Sequence, residues 1–165
     1  MLIALMLIPK GNAEIENAVV NPTNGDIAIT YYSNENAEIV LMVFDTSGNV
    51  LISEGHSSNG GTHSKIVFLD ENIYIYVSRA GKSYGYNRDG EQITPLSYDE
   101  WENIETKEWE GWDSQNGQKS YSYGNYRYYY NTTAYPESLC SWECDISIEN
   151  TATNETVKLL SRRNE

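Results

Sequence analysis

The chain is poor in several residue types that would place it at once in a simple class of proteins. It has two cysteines, which are too few for a disulfide-dense secreted scaffold. Its apolar runs are too short for a membrane-spanning helix. Basic residues are also scarce, since 11 lysines and arginines stand against 24 aspartates and glutamates. The net charge of −13 argues against nucleic acid or an anionic membrane as a partner.

Tyrosine, by contrast, is abundant, with 14 in a chain of 165 residues. Tyrosine, valine, isoleucine and threonine favour β-strands, so we expect an all-β chain. The length is sufficient for one domain with a buried core. We therefore expect residues 14–165 to form a single β-repeat domain.

The first 13 residues have two interpretations. They hold the apolar run Leu2–Ile8, then Pro9, then the small residues Gly11 and Ala13. This pattern is typical of a signal peptide that has lost its basic region, which predicts an extracytoplasmic or secreted protein. The alternative is a buried strand that ends at Pro9.

An imperfect repeat is the most informative feature of the sequence. Residues 43–51 return 42 positions later as residues 85–93, with the pattern aromatic, Asp or Asn, two polar residues, Gly, then an aliphatic. The first Asp or Asn can bond the backbone two residues on, and the later Gly can adopt a positive φ. The pattern predicts equivalent hairpin turns at Asp45–Gly48 and Asn87–Gly90 in adjacent sheets. Residues 150–155 form a degenerate copy of the same turn pattern.

The segment 73–93 resembles bacterial extracytoplasmic β-propeller repeats of the NHL-like or quinoprotein-like kind, and 41–51 resembles the same half-blade. The resemblance covers about residues 17–95, with a weaker trace at 143–160. It implies antiparallel meanders in propeller-like repeats, and a scaffold that binds proteins or glycans, or sometimes an enzyme.

A closed propeller needs about 4–8 blades, and this chain offers two clear ones and a third candidate. The resemblance therefore implies a partial or incomplete propeller. The chain would be a fragment of a larger propeller, an array that completes itself by forming an oligomer, or a small sandwich that mimics the repeat.

One helix is expected among the strands. Ser97 and Glu100 have the spacing of a capping box, and aromatic residues follow at approximately helical intervals. Gly111 fits the position just beyond a helix end. These signals predict a short helix from Tyr98 to about Glu110.

The segment from Ser53 to Lys65 is polar and glycine-rich, which predicts a long flexible loop. It holds His56 and His63, which we expect to be exposed and without a metal. A zinc site made with Cys140 and Cys144 is the alternative, but the spacings match no known zinc finger. We expect no metal and no cofactor.

Enzymatic motifs are weak. There is no Gly-x-Ser-x-Gly nucleophile elbow. Nine acidic residues and three tryptophans lie between Asp89 and Asp113, and paired carboxylates beside aromatic rings are typical of glycan hydrolases. The simpler interpretation is a solvated acidic helix face. A non-catalytic module is favoured, and a glycan-active hydrolase or its fragment is the alternative.

The best candidate for a binding site is a tyrosine-rich hairpin turning at Gly124-Asn125. Alternation places every second side chain on one face, and exposed rings suit sugars or a protein hot spot. Cross-strand packing is the alternative role. The predicted partners are a protein or a neutral glycan. The candidate residues are Tyr121, Tyr123, Tyr126, Tyr128, Tyr130, Trp109 and Trp112.

Overall fold

The computed structural model describes residues 15–104, 110–113, 118–134 and 142–164, and the side chains of 16–104, 120–131 and 145–159. Most of these residues lie in antiparallel strands, which confirms the all-β prediction. The predicted signal segment 1–13 and Cys140 lie outside the described residues.

The strands form three sheets, each of which follows the order of the chain. The first sheet contains β1 (Ile15–Val20), β2 (Ile27–Ser33), β3 (Glu38–Phe44) and β4 (Val50–Ser57). The second contains β5 (Ser64–Leu69), β6 (Asn72–Val77), β7 (Lys82–Tyr86) and β8 (Gln92–Ile93). The third contains β9 (Glu110–Asp113), β10 (Gln118–Tyr123), β11 (Tyr126–Ala134), β12 (Trp142–Asn150) and β13 (Glu155–Asn164).

The two repeated turns are equivalent, as predicted. Each joins the third and fourth strands of its sheet. Asp45 N donates to Asn49 O over 3.0 Å, and Asn87 N donates to Glu91 O over 2.9 Å. The glycine of each turn, Gly48 or Gly90, has a φ of +83°. The sequence pattern therefore marks a real structural repeat.

The third sheet repeats the same plan from β10 onwards. Its hairpin β10–β11 turns at Gly124-Asn125, as predicted, with Gly124 at a φ of +54°. The degenerate copy at Asn150 joins β12 to β13, where Asn154 N donates to Asn150 O over 2.8 Å. Each of the three sheets thus contains one four-stranded meander, and β9 adds a strand at the edge of the third.

The first sheet lies between the other two, and each of its faces packs in a separate core. The first core joins it to the third sheet and consists of Val20, Ile27, Ile29, Tyr31, Met42, Phe44, Tyr128, Ile146, Ile148 and Leu159. The second core joins it to the second sheet and consists of Ala28, Ile39, Leu41, Val43, Ile52, Ile66, Ile73, Ile75, Val77 and Tyr86. The continuous apolar run in β3 follows from this position, since its side chains alternate between the two cores.

No closed ring of blades is found in the part of the chain that the structure describes. The meanders stack face to face, in the order second, first, third. The propeller-like aspect of the prediction is therefore not established by the fold.

The helix α1 is shorter than predicted. It spans Tyr98–Glu102, and Ser97 and Glu100 form the predicted capping box. The extension to Glu110 is wrong, because Glu110 and Gly111 belong to β9. Asn103 ends the helix, and its side chain donates to Asp99 O over 2.7 Å. One turn is enough to bury Trp101, whose indole N–H donates to Ser83 Oγ over 2.9 Å.

The predicted long loop is also shorter in the structure. Strand β4 continues to Ser57 and β5 starts at Ser64, so the loop covers residues 58–63. His63 is exposed as predicted, but the predicted exposure of His56 is wrong, since 4 % of its surface is accessible. Strand alternation points His56 to the same side as Ile52, towards the second sheet.

Candidate binding site

Turns from all three sheets meet at one end of the stack. We name this surface the turn end, since it contains the turns that join the first and second, and the third and fourth, strands of each meander. Antiparallel meanders place these alternate turns at the same end. The turn end consists of residues 21–26, 45–48, 70–71, 87–90, 124–125 and 150–154.

The turn 21–26 of the first sheet is the centre of this surface. It is closed by Asn21 N donating to Asp26 O over 2.7 Å and by Gly25 N donating to Asn21 O over 2.9 Å. The Asn21 and Asn24 side chains each accept a backbone N–H two residues on. Asn and Asp favour turns because they form these local bonds. The turn therefore has a defined shape before any neighbouring sheet contacts it.

The second sheet holds this turn through charged and polar bonds. Arg88, in the repeated turn of the second sheet, forms an ion pair with Asp26 with an Nε–Oδ2 distance of 2.7 Å. The Asp26 side chain is 2 % exposed, whereas that of Arg88 is 45 % exposed. The hydrogen bonds to Asp26 raise the pKa of the Arg88 guanidinium. Asn21, which is fully buried, donates through Nδ2 to Asp70 O over 2.8 Å.

The third sheet holds the same turn through tyrosine hydroxyls. Tyr123 Oη donates to Thr23 O over 2.6 Å, and Tyr128 Oη donates to Gly25 O. A Cβ on Gly25 would lie 2.8 Å from Tyr123 Cδ1 and 2.8 Å from Tyr128 Oη. The tyrosines therefore approach the turn so closely that there is no room for a side chain at position 25.

The five candidate tyrosines share one face of the third sheet. Tyr121 pairs with Tyr128, and Tyr123 pairs with Tyr126 across the hairpin. This face is turned towards the first sheet. Tyr128 is fully buried, and burial raises the pKa of its hydroxyl. The other four are half-buried and pack against the first core.

The side chains of the two candidate tryptophans, Trp109 and Trp112, lie outside the part of the chain that the structure describes. Trp109 lies outside the described residues, and so does the side chain of Trp112, whose backbone belongs to β9. The part of the candidate site that the structure describes is therefore the tyrosine face alone. Within it, Tyr123 and Tyr126 flank the Gly124-Asn125 turn at the turn end.

One carboxylate of the acidic stretch, that of Glu100, has a structural role. Glu100 caps α1, and its carboxylate accepts from Ser97 N over 2.7 Å. Hydrogen bonding to the Ser97 backbone N–H lowers the pKa of Glu100. A general acid of a glycosidase needs a raised pKa, so this carboxylate is unsuited to that role. Glu105 and Glu108 lie outside the described residues.

A carboxyl with a raised pKa lies elsewhere, on β1. Burial raises the pKa of Glu16, although hydrogen bonds from Ser64 and Thr62 oppose the shift. Ser64 Oγ donates to Glu16 Oε2 over 3.2 Å and also contacts Thr30 Oγ1 at 2.9 Å. This polar group joins β1, β2 and β5 at the edge between the first and second sheets. Its hydrogen bonds link three strands of two sheets, which gives it a structural role.

The sequence did not predict the pairing of Asp26 with Arg88, and it predicted His56 to be exposed. Asp26 and Arg88 both lie in turns that the sequence marks, but their pairing depends on how two sheets stack. His56 carries a usable signal, because it continues the inward positions of β4 from Ile52.

Comparison with known proteins gives no further guide to the site, since no family model, curated protein or solved structure matches the chain. In the described ranges, no group of three or more His, Cys, Asp or Glu side chains is arranged to hold a metal ion. None of the helical segments that the structure describes has the length and apolar character needed to cross a membrane.

Proposed function

We propose that this chain is a non-catalytic, extracytoplasmic binding module made of propeller-like repeats. It binds a protein or a neutral glycan at the turn end, through the rings of Tyr123 and Tyr126. The three meanders act as a rigid scaffold, and the turns carry the contacts.

The proposal rests on the position of Tyr123. Its ring is half-buried, and its hydroxyl is fixed by the 2.6 Å bond to Thr23 O. A ring held in this way loses little conformational entropy when a ligand packs on its exposed part. Pro22, Thr23 and Asn125 beside it are exposed, so a ligand can reach this part of the turn end.

The negative charge of the turn end and of the whole chain limits the class of ligand that can bind. Asp70, Glu71 and Asp89 are exposed at the turn end, and the chain carries a net charge of −13. Arg88, in the same turn as Asp89, is paired with Asp26. An anionic ligand would therefore be repelled, which leaves neutral oligosaccharides and basic protein segments as ligands.

The test uses an array of neutral oligosaccharides and a panel of basic peptides. We expect the Tyr123→Ala variant to lose about 1–3 kcal/mol of binding free energy, as for an interface anchor. Tyr123→Phe keeps the ring but removes the bond to Thr23 that fixes it, so it should lose some binding free energy, but less than Tyr123→Ala.

Tyr128→Ala is the comparison variant, because Tyr128 is fully buried. It should mainly lower stability, by about 3–5 kcal/mol. If the wild-type protein binds none of these probes, or if Tyr123→Ala binds as well as the wild type, the proposed function is wrong.

A further inference from the structure

A buried histidine lies between the first and second sheets. The ring of His56, on β4, lies against Tyr84 with a centroid distance of 4.1 Å and near Tyr86 at 5.9 Å. Both tyrosines belong to β7. His56 Nε2 lies 3.4 Å from Tyr86 Oη, which is a long hydrogen bond. His56 and Tyr86 are 4 % and 6 % exposed.

This environment suits a neutral imidazole and opposes a charged one. Burial lowers the pKa of His56 to about 4. Burial also raises the pKa of Tyr86 to about 12, with a contribution from Glu54. Tyr86 therefore stays neutral in mild acid and offers no negative charge to an imidazolium.

Few charged groups face His56 from the surrounding strands. On its own strand, Glu54 points to the same side and is exposed. On β7, Lys82 shares the face of Tyr84 and is exposed. Glu38 lies over Gly55, which points to the opposite side of β4. The facing positions of β3 and β6 are apolar: Ile39, Leu41, Val43, Ile73, Ile75 and Val77.

The contact between the first and third sheets differs from the contact between the first and second sheets, because it contains no buried histidine. The chain has two histidines: the buried one, His56, faces the second sheet, and the other, His63, is exposed in the loop 58–63. The buried imidazole therefore lies on one side of the first sheet only.

We propose that protonation of His56 releases the second sheet from the first, while the first and third sheets stay packed. The second sheet is then an acid-sensitive flap, and its release uncovers the apolar face of the second core. This device goes beyond the proposed binding function and does not depend on it.

The direction of the pH dependence follows from linkage. The pKa of His56 is lower in the folded state, at about 4, than its ordinary value of 6.5. The unfolded or released state therefore binds the proton more readily, and stability falls as the pH drops from about 6.5 to about 4. The full shift changes the opening equilibrium by roughly 100-fold to 300-fold.

The experiment is hydrogen exchange of the whole chain at pH 7.0, 5.5 and 4.0, corrected for the intrinsic exchange rates. We expect amides of β6 and β7 to lose protection by up to about 100-fold relative to those of β11 and β12. His56→Phe keeps a ring in the site and removes the imidazole, so β6 and β7 should lose much less protection between pH 7.0 and pH 4.0 than in the wild type. His63→Phe replaces the exposed histidine and should behave as the wild type.

An NMR titration of the His56 ring is the second readout, and it holds even if the His56→Phe variant fails to fold. A pKa below 5 supports the proposal, and a pKa near 6.5 overturns it. Loss of protection in β11 and β12 in parallel with β6 and β7 also overturns it, because acid would then unfold the whole stack.

Discussion

The third sheet packs closely on the first sheet at Gly25, and substitution there tests the stacking quantitatively. Gly25 has a φ of +81°, where an alanine costs about 1–2 kcal/mol. A Cβ would also lie 2.8 Å from Tyr128 Oη and 2.9 Å from Thr46 Cγ2. Tyr128 is fully buried and cannot move aside without disturbing the first core.

The expected loss for Gly25→Ala is therefore the sum of two costs. Backbone strain contributes about 1–2 kcal/mol. Overpacking against buried side chains contributes about 1–3 kcal/mol more. The total free energy of unfolding should fall by about 2–5 kcal/mol.

Gly60→Ala is the matched control. Gly60 has a similar φ of +76°, but no atom lies within 4 Å of the position its Cβ would take. Substitution of Gly60 should lower the free energy of unfolding by the backbone strain alone, without the cost of overpacking. Urea unfolding of both variants, followed by tyrosine and tryptophan fluorescence, gives the difference directly. Equal losses for Gly25→Ala and Gly60→Ala would refute the close packing of the third sheet on the turn 21–26.

Two further substitutions test the bonds that hold this turn. Arg88→Met should lower the free energy of unfolding by about 1–3 kcal/mol, because it leaves the buried carboxylate of Asp26 unpaired. Lys158→Met is the control, because it breaks the more exposed 3.6 Å pair with Asp145. It should change the free energy of unfolding by at most about 0.5 kcal/mol in the same urea assay. Tyr128→Phe should cost about 1–2 kcal/mol, since it removes the hydroxyl that donates to Gly25 O but keeps the ring; a melting temperature equal to that of the wild type would contradict this.

The local parts of the fold could be predicted because local chemistry determines them. Asp45 and Asn87 bond their own turns, and Gly48 and Gly90 supply the positive φ. The turn at Gly124-Asn125 follows the same logic. Such features depend on a few neighbouring residues, so one sequence is enough to find them.

The stacking of the sheets could not be predicted, because it depends on contacts distant in sequence. The apolar run of β3 is typical of a strand buried on both faces, but it does not show which sheet covers each face. Arg88 and Asp26 are 62 positions apart, and no pattern links them. The tyrosine face was found from alternation, yet its orientation towards the first sheet depends on the same stacking.

Two predictions were wrong for identifiable physical reasons. The helix was extended to Glu110 because the aromatic spacing fits a helix, whereas Asn103 ends it after one turn. His56 was placed in a loop because its neighbours are glycines and serines. Pairing with Ile39 of β3 keeps this segment in a strand instead. Tertiary pairing outweighed local composition in this segment.

The whole architecture depends on the position of the first sheet between the second and third sheets, with two separate cores. A methyl NOESY spectrum of the protein labelled at isoleucine, leucine and valine tests this most directly. We expect contacts from β2 to β12 within the first core, and from β3 to β6 within the second core. Contacts between the methyl groups of Ile73 or Ile75 and those of Ile146 or Ile148 would contradict it, because the first sheet would then not separate the other two.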